Sequence, residues 1–486
     1  MQERTECLLD LIIKNGTIVT ADETYKGDIG IENGIITYIA SPGKLDDLIN
    51  KNSEKESITR VIDAEGQYVM PGLIEPHMHV KAPFSGTIDM LDFYTASKCA
   101  AFGGVTSFMD FSTTTESVAV LEAVENRLQE MKEESALDYC VHPKFINAGK
   151  DKEELRNTIK TLVEKGVPAF KMFTIYPGVM IKDADILRIM RTAKEEGALC
   201  GFHAESNDIA QFMTEKLIEE QKKDWEYFNK AKPNACESEA VNRIIEFAEL
   251  TDAPVYFYHL STKEAVETVR QAKKRGLKVY AETCGHYLAF TEEKNKGKDG
   301  INYLMSPPLR SEKDRKAMWD GLRDGTLSLV TSDNEVFTRE IKEKDLETNE
   351  KGEKIPDFRK PVNGIPGLEE RFGLLMAGVN RGDITLNKLV ELGSTNPAKI
   401  FGCYPQKGCL EVGCDADIIV VDPEKEVPLT WENLHYPPEL NYSIYEGFVS
   451  RGWPIYTIRR GEILVENGEF KGKKGSGQFL KCKVTL

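Results

Sequence analysis

The sequence predicts an α/β fold, a TIM (β/α)8 barrel with a small β-sandwich domain built from both termini. Two observations predict it. Eight short apolar runs alternate with amphipathic helical stretches through the middle of the chain, the pattern of βα units on a parallel sheet. Both ends instead carry β-branched runs broken by turn signals. At 486 residues the chain exceeds one ordinary compact domain and suffices for a large barrel plus an appendage. An apolar content of 41% excludes bulk disorder.

In chain order, LIIKNGTIVT, DIGIENGIITYIA and TRVIDAEGQYVM are short strand-like runs separated by Asn-Gly, Glu-Asn-Gly and Glu-Gly turns. The barrel runs follow from Pro71: PGLIEPHMHV, GVTSFMDF, LDYCVHPKF, VPAFKMF, ALCGFHA, PVYFYHL, KVYAETC and LSLVTSD. Eight is the barrel count. Segments such as ADILRIMRTAKEEG and TKEAVETVRQAKKRG lie between them, acidic early and basic late, as helix termini favour. The charged stretch 338–354 reads as a solvated surface insertion. Strand texture returns in ADIIVVD and PIYTIRRGEILVENGEF. The expected division is a discontinuous sandwich of residues 1–70 and 402–470, a barrel of residues 71–401 and a C-terminal arm of residues 471–486.

With 79 acidic and 63 basic residues, the formal net charge is −16. That balance disfavours nucleic acid as a partner, which a basic face would hold. The ten cysteines fall singly, without a CxxC pair, and read as thiols of a reducing compartment. The first residues show no secretion signal, and no run approaches the roughly 20 apolar residues of a membrane span. The expectation is a cytoplasmic enzyme acting on a small molecule.

The chemistry lies at the carboxyl ends of the barrel runs, where such folds build their sites. Run one ends in His77-Met78-His79, and residues two apart on a strand share a face. Run four carries Lys171, run five ends in His203, run six in His259 and run eight in Asp333. Taken singly, each has a plain explanation: a packed histidine, a helix-capping aspartate, a lysine reaching out to a carboxylate. Jointly they do not, because four of only seven histidines occupy strand ends. A metal centre accounts for the set. Lys171 lies in a run that should be buried on both faces, so its ammonium should lose its proton readily. A neutral amine there can add CO2 to give a carbamate, an anion able to bridge two cations.

These residues sit in stretches that resemble the dihydropyrimidinase/hydantoinase branch of the amidohydrolase superfamily over nearly the whole chain. Among them are PGLIEPHMHVKAPFSGTIDMLDFYTASKCAAFGGVTSFMDF, FKMFTIYPGVM, FHAES, YHLSTKEA, AETCGHYL, MSPPLR, NGIPGLEER and STNPAKIFGCYPQKGCLEVGCDADIIVVD. The resemblance implies two divalent metal ions, Zn2+ ahead of Mn2+ or Fe2+. His77, His79 and Asp333 would bind the first, His203 and His259 the second, and the CO2-derived carbamate on Lys171 would bridge both. It also implies that Tyr176 assists at the substrate carbonyl and that Ser306 and Asn363 hold the ring amide through their backbone. A metal-bridged hydroxide would open the ring, with Asp333 shuttling the proton, to give an N-carbamoyl amino acid. Relatives are commonly homotetramers in which a tail like GSGQFLKCKVTL reaches a neighbour.

Two departures bear on substrate identity. Glu75 stands where relatives usually carry aspartate before the histidine pair, and Asn334 stands where many carry histidine after the aspartate. His286 reads as a loop or supporting residue, and His142 and His435 as packing residues. Competing readings are hydrolysis of another cyclic ureide such as allantoin, a non-catalytic scaffold relative, and a one-metal deaminase.

Overall fold

The computed structural model describes residues 9–49, 59–84 and 86–485; the N-terminal residues read for a secretion signal and Ser85 of PFSGT lie outside them. Each of the eight apolar runs contains a strand. We label them β1 (Leu73–Glu75), β2 (Val105–Phe111), β3 (Asp138–His142), β4 (Ala169–Phe173), β5 (Leu199–His203), β6 (Val255–Phe257), β7 (Val279–Cys284) and β8 (Leu329–Thr331). All pair in parallel with their chain neighbours, β1 to β3 in one sheet and β4 to β8 in another. Every residue of β2, β3 and β5 is buried, as strands covered on both faces must be.

Two single bridges link the sheets, Lys144 with Lys171 and Met78 with Asn334. At the first, Lys171 N donates to Pro143 O at 2.8 Å and Phe145 N to Lys171 O at 2.9 Å. At the second, Asp333 N donates to His77 O at 3.0 Å and His79 N to Asn334 O at 2.8 Å.

Connecting helices follow from local sequence. Asp151 caps Lys152–Lys165 through Glu153 N at 2.7 Å and Glu154 N at 3.1 Å, a contact worth about 1 kcal/mol. That helix stops at Gly166, whose φ of 96° suits glycine. Lys263–Lys274 buries Ala265, Val266, Val269 and Ala272, one stripe at helical spacing. Among the described residues, no helix is long and apolar enough to cross a membrane.

Strands from both chain ends form one nine-stranded mixed sheet. The join is Tyr68–Pro71 running antiparallel to Ile418–Pro428, with Val69 opposite Val420. Alternation decides which core each residue enters. Met70, Ile419 and Val421 face the large core shared with the parallel strands, whereas Val69, Ile418 and Val420 face a second core. Ile13, Ile29, Ile36, Ile62 and Ile458 of the same sheet also line that second core. Strands from both termini therefore belong to one continuous sheet whose alternate residues enter two cores.

One expectation changes on contact with the structure. The stretch 338–354 is not wholly solvated: Lys342 is buried and its Nζ donates to Gly364 O at 2.6 Å. The C-terminal segment lies across its own chain. Leu480 N donates to Tyr139 O at 2.8 Å and Cys482 N to Gly166 O at 3.0 Å, with Leu480 and Cys482 buried. The open edge of β3 offers backbone partners that this segment takes.

A caged lysine ties the segment leading into the nine-stranded sheet to β3. Lys407 Nζ lies 2.7 Å from Asp138, 3.0 Å from Asp415 and 2.8 Å from Asp417, all buried. Despite the opposing cost of burial, those carboxylates hold its pKa above the ordinary lysine value. Lys407→Met leaves three buried carboxylates without their cation, so urea denaturation should show a loss of about 3 kcal/mol or more. A loss below about 1 kcal/mol would show that the cage contributes little.

Candidate active site

Strand β1 stops at Glu75, because Pro76 has no N–H to continue the ladder. His77-Met78-His79 therefore lie past the strand, not on it as the sequence suggested. The bridge from Met78 to Asn334 preserves strand-like alternation there: Met78 enters the core, and both imidazoles project the other way. His259 and Asp333 each sit two residues beyond their strands, with φ of 40° and 48°, and Tyr176 has φ of 73°. Left-handed backbone at such residues costs on the order of 1–3 kcal/mol each and collects at functional sites.

The six side chains singled out as metal ligands converge. One ligand atom each from His77, His79 and Asp333 lies within 4.8 Å of the others. Asp333 Oδ1 is 2.9 Å from His77 Nε2 and 3.5 Å from His79 Nε2. Lys171 Nζ is 3.4 Å from His77 Nε2 and sits over the Tyr258 ring at 3.7 Å. The His203 and His259 rings meet edge-on at 4.4 Å, and His259 lies 5.3 Å from His77. His79, Lys171, His203, His259 and Asp333 line one cavity of about 120 Å³. Tyr176, Ser306 and Asn363 line it too.

Burial sets the charge states. It lowers His79 to about 4, Lys171 to about 8 and His259 well below the ordinary histidine value. Neutral imidazoles at His79 and His259 result, the form that binds cations, and Lys171 gives up its proton far more readily than an ordinary lysine, as addition of CO2 requires. For Asp333, burial opposes ionisation, but His77 and His79 hold the carboxylate well below its usual range. Burial likewise opposes a charged His77, and Asp333 overcomes it to raise that imidazole. His259 Nδ1 is buried without a hydrogen-bond partner among the described residues. An orphaned ring nitrogen beside two further imidazoles and a carboxylate fits the N/O donor set of a divalent ion.

The residues supporting this set were mostly missed by the sequence reading. Glu282 of β7, fully buried, bonds His77 Nδ1 and accepts from His259 N at 3.1 Å and from the Tyr256 hydroxyl. It carries the same signal as Lys171, a charged residue inside a run buried on both faces. Glu205 accepts from His203 Nε2 at 2.7 Å and pairs with Lys232 at 3.1 Å. Lys232 also donates to Tyr176 Oη at 3.0 Å and Ser306 Oγ at 2.9 Å, and Asn363 Nδ2 reaches Ser306 Oγ at 3.1 Å.

Glu75 accepts from His77 N at 3.0 Å and Ser332 N at 3.1 Å and pairs with buried Arg371 at 3.3 Å, so it braces backbone. Asn334 is fully buried, its Oδ1 accepting from Gly367 N at 3.2 Å. His142 bonds Ala169 O and Pro76 O, and His435 bonds Glu369 and stacks on Phe102. His286 is buried outside the cavity lining.

The pattern of the amidohydrolase family matches residues 68–464. The chain is 37% identical over 476 residues to a D-hydantoinase of Ralstonia pickettii, covering 97% of this chain and 99% of that one. It is 35% identical over 477 residues to a D-hydantoinase of Geobacillus stearothermophilus, covering 97% and 96%. Among solved structures, a dihydropyrimidinase from Brevibacillus agri superposes with a TM-score of 0.90 at 33% identity, covering 98% of this chain and 99% of that one.

Glu282→Gln keeps the shape but not the charge that orients His77. Zn2+ affinity, measured by competition with a chromophoric chelator, should fall about 10- to 100-fold while the circular dichroism spectrum stays unchanged. Unchanged affinity would deny Glu282 this orienting role.

Proposed function

The chain belongs to the amidohydrolase family, and from that premise we propose that it opens a cyclic amide, a dihydropyrimidine or a 5-substituted hydantoin, to an N-carbamoyl amino acid. The relatives named above, hydantoinases and a dihydropyrimidinase, support that substrate class. One observation carries the reading. A buried lysine whose pKa has fallen to about 8 lies among the imidazoles and the carboxylate that line a single cavity. A one-metal deaminase has no use for it, and a scaffold needs none of the set.

In this reading His77, His79 and Asp333 would hold one divalent ion and His203 and His259 the other. Lys171, once its amine has added CO2 with loss of a proton, would help hold both as an anionic carbamate. The N/O donors suit Zn2+ and accommodate Mn2+ or Fe2+. When bound, such a pair supplies Lewis acidity and a nucleophilic water at neutral pH.

The chain's own residues do the rest. Burial, against the pull of Lys232, keeps the Tyr176 phenol above its ordinary pKa, so it retains its proton and donates to the developing oxyanion. Lys232 fixes that phenol by donating to its oxygen. Asp333, held ionised, takes the proton of the attacking water and passes it to the departing ring nitrogen. Ser306 and Asn363 hold the ring amide at the cavity wall.

We read the two parallel sheets as one closed (β/α)8 barrel, supported by the bridges at both seams. The barrel of residues 71–401, the sheet domain of residues 1–70 and 402–470 and the arm of residues 471–486 are its units. A cytoplasmic setting is supported by nine buried cysteines that form no disulfide among the described residues. The reading includes a homotetramer.

Lys171→Ala should lose metal, by elemental analysis, and ring opening of dihydrouracil or hydantoin, followed by ultraviolet loss, in parallel. Acetate or propionate should restore part of both. Full activity in this variant would defeat the reading. Tyr176→Phe should lower kcat about 100-fold with metal content intact; an unchanged kcat would remove Tyr176 from the chemistry.

A further inference from the structure

The cavity that holds the site is small, and a larger one opens from it. The inner cavity is about 120 Å³ and the outer about 600 Å³. Pro83, Lys144, Phe173, Tyr176 and Asn363 line both and form the neck between them. A ring seated inside leaves any exocyclic substituent at this neck.

Charge at the neck and beyond it runs against the rest of the molecule. The chain carries a net −16, yet the outer cavity is lined by Lys144, Lys232 and Arg359 and, among the described residues, by no aspartate or glutamate. Two of these cations are already paired, Lys232 with Glu205 at 3.1 Å and Arg359 with Asp357 at 2.8 Å. Lys144 is different. Its backbone is fixed by Ser112 Oγ at 3.0 Å and by the bridge to Lys171, and its side chain makes no hydrogen bond or ion pair with any described residue. Glu335 also lines the inner cavity but does not pair with it.

Resting on the ring-opening reading above, we propose that Lys144 is a specificity-determining residue and that the ring this site selects carries a carboxylate on its exocyclic substituent. The carboxylate sits at the neck against the ammonium, and the ring lies inward at the metal ligands. A single unpaired ammonium flanked by Pro83 and Phe173 suits one carboxylate better than a phosphate, which calls for several donors. Lys144 acts on recognition and takes no part in bond breaking.

The test compares 5-(2-carboxyethyl)hydantoin with its primary amide, which has nearly the same shape and no charge. Metal-loaded wild type should favour the carboxylate in kcat/KM by about tenfold or more, through KM. Lys144→Gln should abolish that preference while leaving the amide within about twofold. Lys144→Arg should keep most of the preference, which also controls for folding. Equal handling of the two rings by wild type, or an undiminished preference in Lys144→Gln, would overturn the proposal. If wild type opens neither ring, the ring-opening reading fails by itself. Calorimetric binding of the carboxylate ring then decides for Lys144: loss in Lys144→Gln supports it, and equal binding overturns it.

Discussion

The site depends on a carboxylate that touches no solvent. Glu282 is fully buried, and one of its oxygens takes both His77 Nδ1 and the backbone N–H of His259 while the other takes the Tyr256 hydroxyl. An unpaired charge at that depth would cost several kcal/mol, so these partners are what allow it to exist. In return they are fixed by it. With Nδ1 committed to Glu282, Nε2 is the ring atom turned toward Asp333 at 2.9 Å and Lys171 at 3.4 Å. One residue of β7 thus sets the orientation of a group after β1 and another after β6. Removing it would release three donors at once.

The strand ends hold conformations the chain would not choose alone. His259 and Asp333 lie in the left-handed region just past their strands, and cross-strand bonds keep them there. Asp333 N donates to His77 O, His259 N to Glu282, and Ser332 N to Glu75. Beneath this layer Arg371 fills the space between β1 and β8, donating to Ile74 O at 2.9 Å and Val330 O at 3.0 Å while pairing with Glu75. The stiffness that aims the imidazoles is therefore shared between backbone bonds at the mouth and a buried ion pair below it. A substitution at Arg371, remote from the cavity lining, should be felt at the mouth through Glu75.

What the sequence made legible follows from which physical signals are local. A parallel strand covered on both faces must be a nearly unbroken apolar run, so all eight runs stand out, and a polar residue at the end of one is visible against that background. Lys171, His203, His259 and Asp333 were found in this way. Glu282 carries the same signal as Lys171, a charged residue two positions before its run's end, yet the sequence reading did not single it out. Other features depend on tertiary partners. That Lys342 plunges to the Gly364 carbonyl, inside a stretch dense with charge, cannot be read from composition. Neither can the pairing of Glu205 with Lys232, 27 residues apart, or the way the tail takes the free edge of β3. Even His77 and His79 were located by a strand periodicity that survives only as a single bridge beyond the strand.

The distribution of charge decides how an anionic substrate could be chosen at all. Seen from a distance, a chain of net charge −16 repels an anion. At physiological ionic strength that repulsion is screened beyond about 8 Å, so it weakens approach without forbidding it. Inside the outer cavity the sign reverses, and the low-dielectric walls of Phe173, Phe228 and Phe358 strengthen whatever field the cations make. The paired cations Lys232 and Arg359 contribute little net field, which leaves Lys144 as the local source. Selection of an anion here must then act on the bound state at the neck, through residence, with diffusional steering working against it. An unpaired ammonium is costly to maintain in such walls, and its position between the histidine, lysine and aspartate cluster and the outer cavity gives that cost a function.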